Sequence, residues 1–181
     1  MRTGVGEATR QLSAWLVETN DLEPILNSPV AFDEVSAGLS ELQPHEALQF
    51  LDPDEVEDLA GLWVQSKGWR MLKSSTYRQR RTWECEFTRS SEDGPEIAYM
   101  QVKSGNTSLL AQNYVPHLQS HEWLYLISTA MNPYPDLDGV DDERVVFIEP
   151  ADLLAFLQAN LSAMPPAVSV KLGLATGVIR A

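Results

Sequence analysis

Two strongly apolar segments, residues 122–129 and 144–148, constrain the fold of this chain more than any other feature. Strands with one wet face alternate apolar and polar residues, whereas these two runs are almost continuously apolar. Such runs predict strands buried on both faces, which is typical of a sheet covered by other elements. Shorter strand patterns cover residues 70–73, 82–88 and 97–103. Together the five segments predict an α/β domain with a central mixed sheet of about five strands.

The strand over 97–103 begins apolar and ends in a lysine, just before a Ser-Gly-Asn turn. Because side chains alternate along a strand, Gln101 and Lys103 share a face with Tyr99. An ammonium group is costly to bury unless an anion lies nearby. The pattern therefore fits either an edge strand with a solvated lysine or a strand whose lysine faces carboxylates.

The strand over 82–88 supplies such carboxylates. Three of its side chains are predicted to share the core face: Trp83, Cys85 and Phe87. Glu84 and Glu86 then share the other face. Residues 90–95 predict a turn and hence an antiparallel hairpin with the strand over 97–103. That hairpin brings Glu84 and Glu86 beside Gln101 and Lys103.

Helices are predicted before and after these strands. Residues 55–67 have apolar residues at helical spacing, with Asp52 or Asp54 as N-cap and Gly68 after the last turn. Residues 1–53 predict an N-terminal helical extension, with helices over 7–19 and from Asp33 or Ser36 to about Phe50, and residues 54–181 form the α/β domain. Further along, residues 108–119 are helical or irregular, 153–161 are helical, and 167–179 predict a last strand.

The net charge of −13 argues against indiscriminate binding to polyanions. Positive charge is nevertheless concentrated within residues 67–103, which hold eight of the thirteen basic residues and only five acids, a net of +3. The remainder of the chain carries −16. The eight basic residues are Lys67, Arg70, Lys73, Arg78, Arg80, Arg81, Arg89 and Lys103. A solvated hairpin face would produce the same clustering.

The remaining composition bounds the cellular setting. A single cysteine, Cys85, excludes an internal disulfide framework and suits a reducing cytoplasm. Three histidines and one cysteine argue against a structural zinc site. No apolar run approaches the roughly 20 residues of a membrane span, and the first residues show no apolar signal-peptide core. We expect a cytoplasmic protein that does not enter a membrane.

Four short motifs occur in a specific order: Val-Glu at 56–57, Gly-Trp at 68–69, Glu-Cys-Glu-Phe at 84–87, and Met-Gln-Val-Lys-Ser-Gly at 100–105. This order resembles the PD-(D/E)xK nuclease superfamily. It is most similar to the Mrr-type branch of restriction-endonuclease-like domains, in which glutamine replaces the second acid. The resemblance covers about residues 54 to 160 and implies a three-layer α/β/α fold.

The resemblance also implies roles for individual residues. Glu57, Glu86 and Gln101 would surround a divalent cation, Mg²⁺ or Mn²⁺, and Lys103 would orient the attacking water and stabilise the phosphate. The family usually has aspartate where this chain has Glu84 and Glu86. Glu86 is preferred because the apolar Phe87 follows it, and Glu84 is the second candidate.

The function implied is metal-dependent cleavage of DNA by an endonuclease of the restriction, defence or repair type. Phosphodiester hydrolysis needs a cation that acidifies water and neutralises developing charge, and oxygen ligands select Mg²⁺ or Mn²⁺. The residues expected to contact the nucleic acid are Lys73, Arg78, Arg80, Arg81 and Ser104.

Two other functions fit the sequence. The first is a catalytically degenerate nuclease-like module that binds nucleic acid or a protein partner. The N-terminal helices would then serve a protein partner or a homo-oligomer. The second is an acidic protein of the immunity or antitoxin type that mimics nucleic acid, which the −16 outside residues 67–103 would support.

Overall fold

The structure is a computed structural model that describes residues 31–72, 83–92, 94–136, 140 and 142–179. Its five strands form a single sheet in the order β1-β2-β3-β4-β5. They are β1 (Arg70–Met71), β2 (Cys85–Ser91), β3 (Gly94–Lys103), β4 (Glu122–Ser128) and β5 (Val145–Ile148). The β1–β2 and β2–β3 pairs are antiparallel, whereas the β3–β4 and β4–β5 pairs are parallel. This mixed sheet of five strands confirms the predicted α/β fold class.

The register of the β2–β3 hairpin places the predicted site residues. Ser91 pairs with Gly94, so the two strands are joined by a tight turn, and Gly94 has a φ of +120° that favours glycine. Counting back from that turn, Glu86 lies opposite Tyr99 and Cys85 lies opposite Met100. The Glu84 N–H then donates to the Met100 carbonyl at 3.1 Å, just before β2 begins.

All helices of the described residues pack on one face of the sheet. They are α1 (Phe32–Ser40), α2 (Pro44–Leu48), α3 (Pro53–Ser66), α4 (Pro150–Ala159) and α5 (Pro166–Ala175). Each contributes buried apolar side chains to a core that also contains Phe87, Met100 and Ile127 from the strands. The described part of the predicted N-terminal extension therefore shares this core with the sheet.

The opposite face of the sheet carries a smaller core. Leu124, Leu126 and Val145 lie there, packed with Leu109 and Tyr134. The chain between β3 and β4 covers this face with two 3₁₀ turns, Ala111–Asn113 and Val115–His117, where residues 108–119 were predicted to be helical or irregular. Gln101 and Lys103 open onto the same face.

Helix α3 begins and ends as its sequence predicts. Asp52 is the N-cap, and its side chain forms a reciprocal capping box with Glu55. Gly68 follows the helix with a φ of +89°, the left-handed conformation that glycine adopts at little cost. The helix holds Glu57 in its first turns, close enough to Glu84 for its charge to act on that carboxyl.

Two predicted elements differ from the structure. The helix expected to run to about Phe50 is divided into α1 and α2, because the chain turns at 41–43 and Pro44 starts a new helix. The last strand, predicted over 167–179, is wrong: these residues form α5, with Pro166 in its first turn. The predicted helix over 7–19 lies outside the described residues.

Lys171 joins α5 to α3 through a cluster of charged side chains. Its side chain is 10% exposed, and its Nζ contacts Asp52 Oδ2 at 2.8 Å and Glu55 Oε2 at 2.7 Å. Burial lowers the pKa of Lys171, but the hydrogen bonds that its ammonium donates to the two carboxylates, together with their charges, raise it by more, so the net pKa is above its ordinary value. The charge cluster ties α5 to the first turn of α3.

None of the helices that the structure describes is long and apolar enough to cross a membrane.

Candidate active site

The carboxylate of Glu84 is the centre of the group of polar side chains at the end of β3. Its Oε1 accepts a hydrogen bond from Gln101 Nε2 at 2.6 Å, and its Oε2 accepts one from the Val102 backbone N–H. Gln101 is 5% exposed, so its amide is held rigidly. These bonds fix both oxygens of the carboxylate against the end of the strand.

Lys103 lies next to this carboxylate. Its Nζ is 3.7 Å from Glu84 Oε1, within ion-pair distance, and its side chain is 38% exposed. The predicted juxtaposition of the strand-end lysine with a hairpin carboxylate is therefore present. A lysine this exposed is held loosely by its partner, so its ammonium is available to an anionic ligand.

Glu57 brings a second negative charge to the same place. Burial is the largest influence on the pKa of Glu84 and raises it; the Val102 N–H opposes this, and the charge of Glu57 raises it further. Lys103 and Gln101 do not offset these effects, so the pKa of Glu84 lies above its ordinary value. Two carboxylates that repel each other beside a buried amide are the arrangement that a divalent cation relieves.

Cys85 follows Glu84 in the chain and packs in the larger core. Burial raises the pKa of its thiol to about 11, and the charges of Glu57, Glu84 and Asp58 add to the rise. Its side chain is 7% exposed. A thiol with these properties is protonated at neutral pH and packs as an apolar residue, as predicted.

Glu84, the second candidate acid of the hairpin, contacts both Gln101 and Lys103. Glu86 is half-buried and lies opposite Tyr99 in the ladder, two residue pairs farther from the end of β3 than Glu84. Ser104 is half-buried immediately after Lys103. Four of the predicted nucleic-acid contacts, Lys73, Arg78, Arg80 and Arg81, lie outside the described residues.

Two aromatic residues beside the site were not predicted. Trp83 was expected to face the core with Cys85 and Phe87, but its ring stacks on Tyr99 on the opposite face, with 5.0 Å between centroids. The alternation fails because β2 starts only at Cys85. Tyr114 lies on the chain between β3 and β4, where the sequence shows no motif, and approaches Trp83 to 6.0 Å.

The oxygen ligands of the site fit a magnesium-like cation. Glu57 and Glu84 supply carboxylates, and Gln101 uses its amide nitrogen towards Glu84 and the Val102 carbonyl, which leaves its amide oxygen as a neutral ligand atom. Among the described residues, no group of three or more His, Cys, Asp and Glu side chains could hold a metal. Mg²⁺ does not require one, because it commonly takes one or two carboxylates and completes its shell with water and substrate phosphate.

Comparisons with known proteins add one solved structure. No family model and no curated protein matches the chain. Among solved structures, the MspJI restriction endonuclease in complex with a 27-mer oligonucleotide is similar with a TM-score of 0.42 and 14% identity. That match covers 99% of this chain, and the chain spans 37% of the length of the endonuclease. Function is therefore inferred below from the side chains around Lys103 and not from this likeness.

Proposed function

We propose that this chain is a divalent-metal-dependent nuclease that hydrolyses phosphodiester bonds in DNA. The observation that carries the proposal is the position of Glu84. Its carboxylate is fixed by Gln101, repelled by Glu57 and placed 3.7 Å from the exposed ammonium of Lys103. Such a site combines an excess of negative charge for a cation with a positive charge for a phosphate.

Glu57, Glu84 and Gln101 would hold the cation, either Mg²⁺ or Mn²⁺. When bound, it supplies acidification of a water and neutralisation of the charge that develops on the phosphate oxygens. The chain itself supplies two carboxylates whose mutual repulsion is relieved by a cation, together with a rigid amide. The weak affinity expected of a neutral glutamine ligand suits a cation that is completed by substrate.

Lys103 is the residue proposed to contact the scissile phosphate. Its ammonium is a compact positive charge on a flexible stem, and Glu84 limits where that charge can lie. From that position it can bind a non-bridging phosphate oxygen and orient the attacking water. The contact would strengthen as negative charge develops in the transition state, which is the condition for acceleration.

DNA is proposed as the substrate from the distribution of charge. Residues 67–103 carry a net +3 in a chain that is otherwise strongly acidic, and they lead directly into the site. Lys73, Arg78, Arg80 and Arg81 belong to that stretch and are proposed to contact backbone phosphates. Acidic surroundings would confine DNA to this basic segment and oppose binding elsewhere.

Supercoiled plasmid DNA tests the proposed activity. The protein is expected to nick or linearise it in Mg²⁺ or Mn²⁺, and excess EDTA should stop the reaction. Binding of DNA without any cleavage in either metal would support the catalytically degenerate module instead. Absence of both binding and cleavage would contradict both readings.

The raised pKa of Glu84 makes a prediction about cation binding. Protonated Glu84 cannot ligate a cation, so Mn²⁺ affinity should fall as the pH drops below the pKa of Glu84, by about tenfold per pH unit. Because that pKa is above the ordinary glutamate value, the fall should begin at a higher pH than for an unperturbed glutamate. Calorimetric titration with Mn²⁺ across a series of pH values measures it.

A matched variant separates this effect from a general loss of folding in acid. In Glu57→Gln the neighbouring charge is gone, so the pKa of Glu84 should move down. The Mn²⁺ affinity of the variant should be weaker at neutral pH, and its acid-dependent fall should occur at lower pH. Identical pH profiles for both proteins would show that Glu57 and Glu84 do not act together.

A further inference from the structure

Three aromatic rings border the candidate active site and have no role in the proposed chemistry. Trp83 stacks on Tyr99 with an interplanar angle of 15°, and Tyr114 lies beside Trp83 at a centroid distance of 6.0 Å and an angle of 37°. All three residues are half-buried. Their rings form a short aromatic row in the order Tyr99, Trp83, Tyr114, packed against the smaller core and partly exposed along its length. Tyr99 belongs to the sheet, and Tyr114, on the covering chain, is the outer ring.

The row adjoins the carboxylate of Glu84. Trp83 immediately precedes Glu84, and Tyr99 lies on the face of β3 that also carries Gln101 and Lys103. At the outer end of the row, the charge of Glu84 is felt at the Tyr114 hydroxyl, where it adds to the effect of burial in raising the pKa of Tyr114. A nucleotide whose phosphate sits at Lys103 would thus have the aromatic row within reach.

The backbone segment that carries the outer ring, Tyr114, is held in place by hydrogen bonds. The Tyr114 N–H donates to the Ala111 carbonyl at 2.9 Å, and the Tyr114 carbonyl accepts from the His117 N–H at 2.9 Å. The carboxylate of Asp136 accepts from the N–H groups of Ala111 and Gln112 at 3.0 and 3.1 Å, which fastens this segment to the chain after β4. The backbone that carries Tyr114 is thus ordered before any substrate arrives, so that binding costs little further ordering of this segment.

The inner end of the row is fixed as well. The Tyr99 hydroxyl donates to Glu122 Oε1 at 2.9 Å, and Glu122 is 5% exposed at the start of β4. A second bond, from the Gln119 N–H to Glu122 Oε2 at 2.9 Å, ties the end of the covering segment to the same carboxylate. Trp83 therefore stacks on the ring of Tyr99, whose hydroxyl is held by Glu122.

We propose that Trp83 and Tyr114 form a subsite for the nucleobase next to the scissile phosphate, so that the preferred substrate is single-stranded or locally unpaired DNA. The proposal rests on the proposed nuclease function, and it adds the substrate class. A base inside a duplex is already stacked on both faces, whereas an unpaired base offers its face to an aromatic side chain. Stacking on protein rings is typical of sites that bind single strands with little sequence preference.

The test compares three proteins that differ only at the outer ring: wild type, Tyr114→Phe and Tyr114→Leu. Their affinities are measured by fluorescence anisotropy for a labelled single-stranded oligonucleotide and for the same sequence as a duplex, in Ca²⁺ so that the DNA is held intact. Leucine should weaken single-strand binding about tenfold or more, whereas phenylalanine should stay within about threefold of wild type. Duplex binding should change little in either variant.

A second substitution guards against misfolding. Trp83→Phe keeps an aromatic ring on Tyr99 and should retain most of the single-strand affinity, and the thermal midpoint of each variant reports whether its fold is intact. The proposal is overturned if Tyr114→Leu binds the single strand as tightly as wild type. It is also overturned if both forms of DNA lose affinity equally in a folded variant.

The outcomes keep the subsite and the nuclease function apart. Metal-dependent cleavage by wild type, together with unchanged single-strand binding in Tyr114→Leu, would overturn the stacking subsite and leave the nuclease function in place. If wild type cleaves no DNA but Tyr114→Leu selectively loses single-strand binding, the subsite would be supported and the nuclease function rejected.

Discussion

Replacing Lys103 by alanine is expected to reduce metal-dependent DNA cleavage by about 100-fold or more. The ammonium is the positive charge closest to Glu84 among the described contacts, and it is exposed enough to meet a phosphate. Loss of one preorganised electrostatic contact to a transition state typically costs two to three orders of magnitude in rate. The rate of conversion of supercoiled plasmid to nicked circle measures the effect.

Lys67→Ala is the matched control for this substitution. The Lys67 ammonium lies 4.5 Å from the Trp63 ring centroid, just after α3, ten residues and about 15 Å along the helix from Glu57. The Lys67→Ala substitution removes the same charge from the protein without altering a residue of the site, so cleavage should stay within about threefold of wild type. Equal rates in wild type and Lys103→Ala would assign the activity to another site or to a contaminant.

Replacing Glu84 by glutamine is expected to weaken Mn²⁺ binding by about tenfold or more and to reduce cleavage with it. The carboxylate at this position is the group to which Gln101, Val102 and Lys103 converge. Glutamine has nearly the same shape and keeps one oxygen as an acceptor, but it removes the negative charge that attracts the cation. Calorimetric titration with Mn²⁺ measures the affinity, and thermal unfolding checks the fold.

Glu86→Gln is the control that decides between the two hairpin acids. Glu86 lies opposite Tyr99, two residue pairs farther from the end of β3 than Glu84, so this variant should bind Mn²⁺ within about threefold of wild type. Loss of binding in Glu86→Gln with retention in Glu84→Gln would contradict the assignment made from the structure. It would restore the assignment suggested by the apolar residue after Glu86.

The choice between these acids shows how far the sequence could predict the site. Alternation along 82–88 placed Glu84 and Glu86 on one face, and the turn predicted a hairpin with β3. Which acid meets Gln101 depends on the register, and a shift of two residues would place Glu86 there instead of Glu84. The observed register, in which Ser91 pairs with Gly94, is centred on the same point as the turn predicted over 90–95, so the hairpin itself favoured Glu84. The preference for Glu86 came only from the apolar residue that follows it.

The last segment shows a different limit. Val168, Val170 and Leu172 alternate with small or polar residues, a pattern that predicts a strand. In the structure these residues are buried in α5, where even Lys171 is buried against Asp52 and Glu55. The pairing spans more than 110 residues of the chain, so no local pattern could reveal it.

Segments whose local sequence pattern agrees with the secondary structure that they form were predicted well. The capped, acid-first pattern of α3 and the apolar runs of β4 and β5 appear in the structure within a few residues of their predicted bounds. The aromatic row was missed for the opposite reason. Trp83 lies just outside β2, and Tyr114 lies between two 3₁₀ turns, where side-chain direction follows from packing and not from periodicity.

Anomalous scattering from crystals soaked in Mn²⁺ tests whether Glu84 is a cation ligand, because it locates the cation without reference to activity. We expect a manganese peak at about 2.0–2.6 Å from an oxygen of Glu84, with Glu57 or Gln101 as a further ligand and Lys103 facing the open side of the ion. Manganese bound only at other acidic surfaces, in crystals of a protein that cleaves DNA, would contradict it.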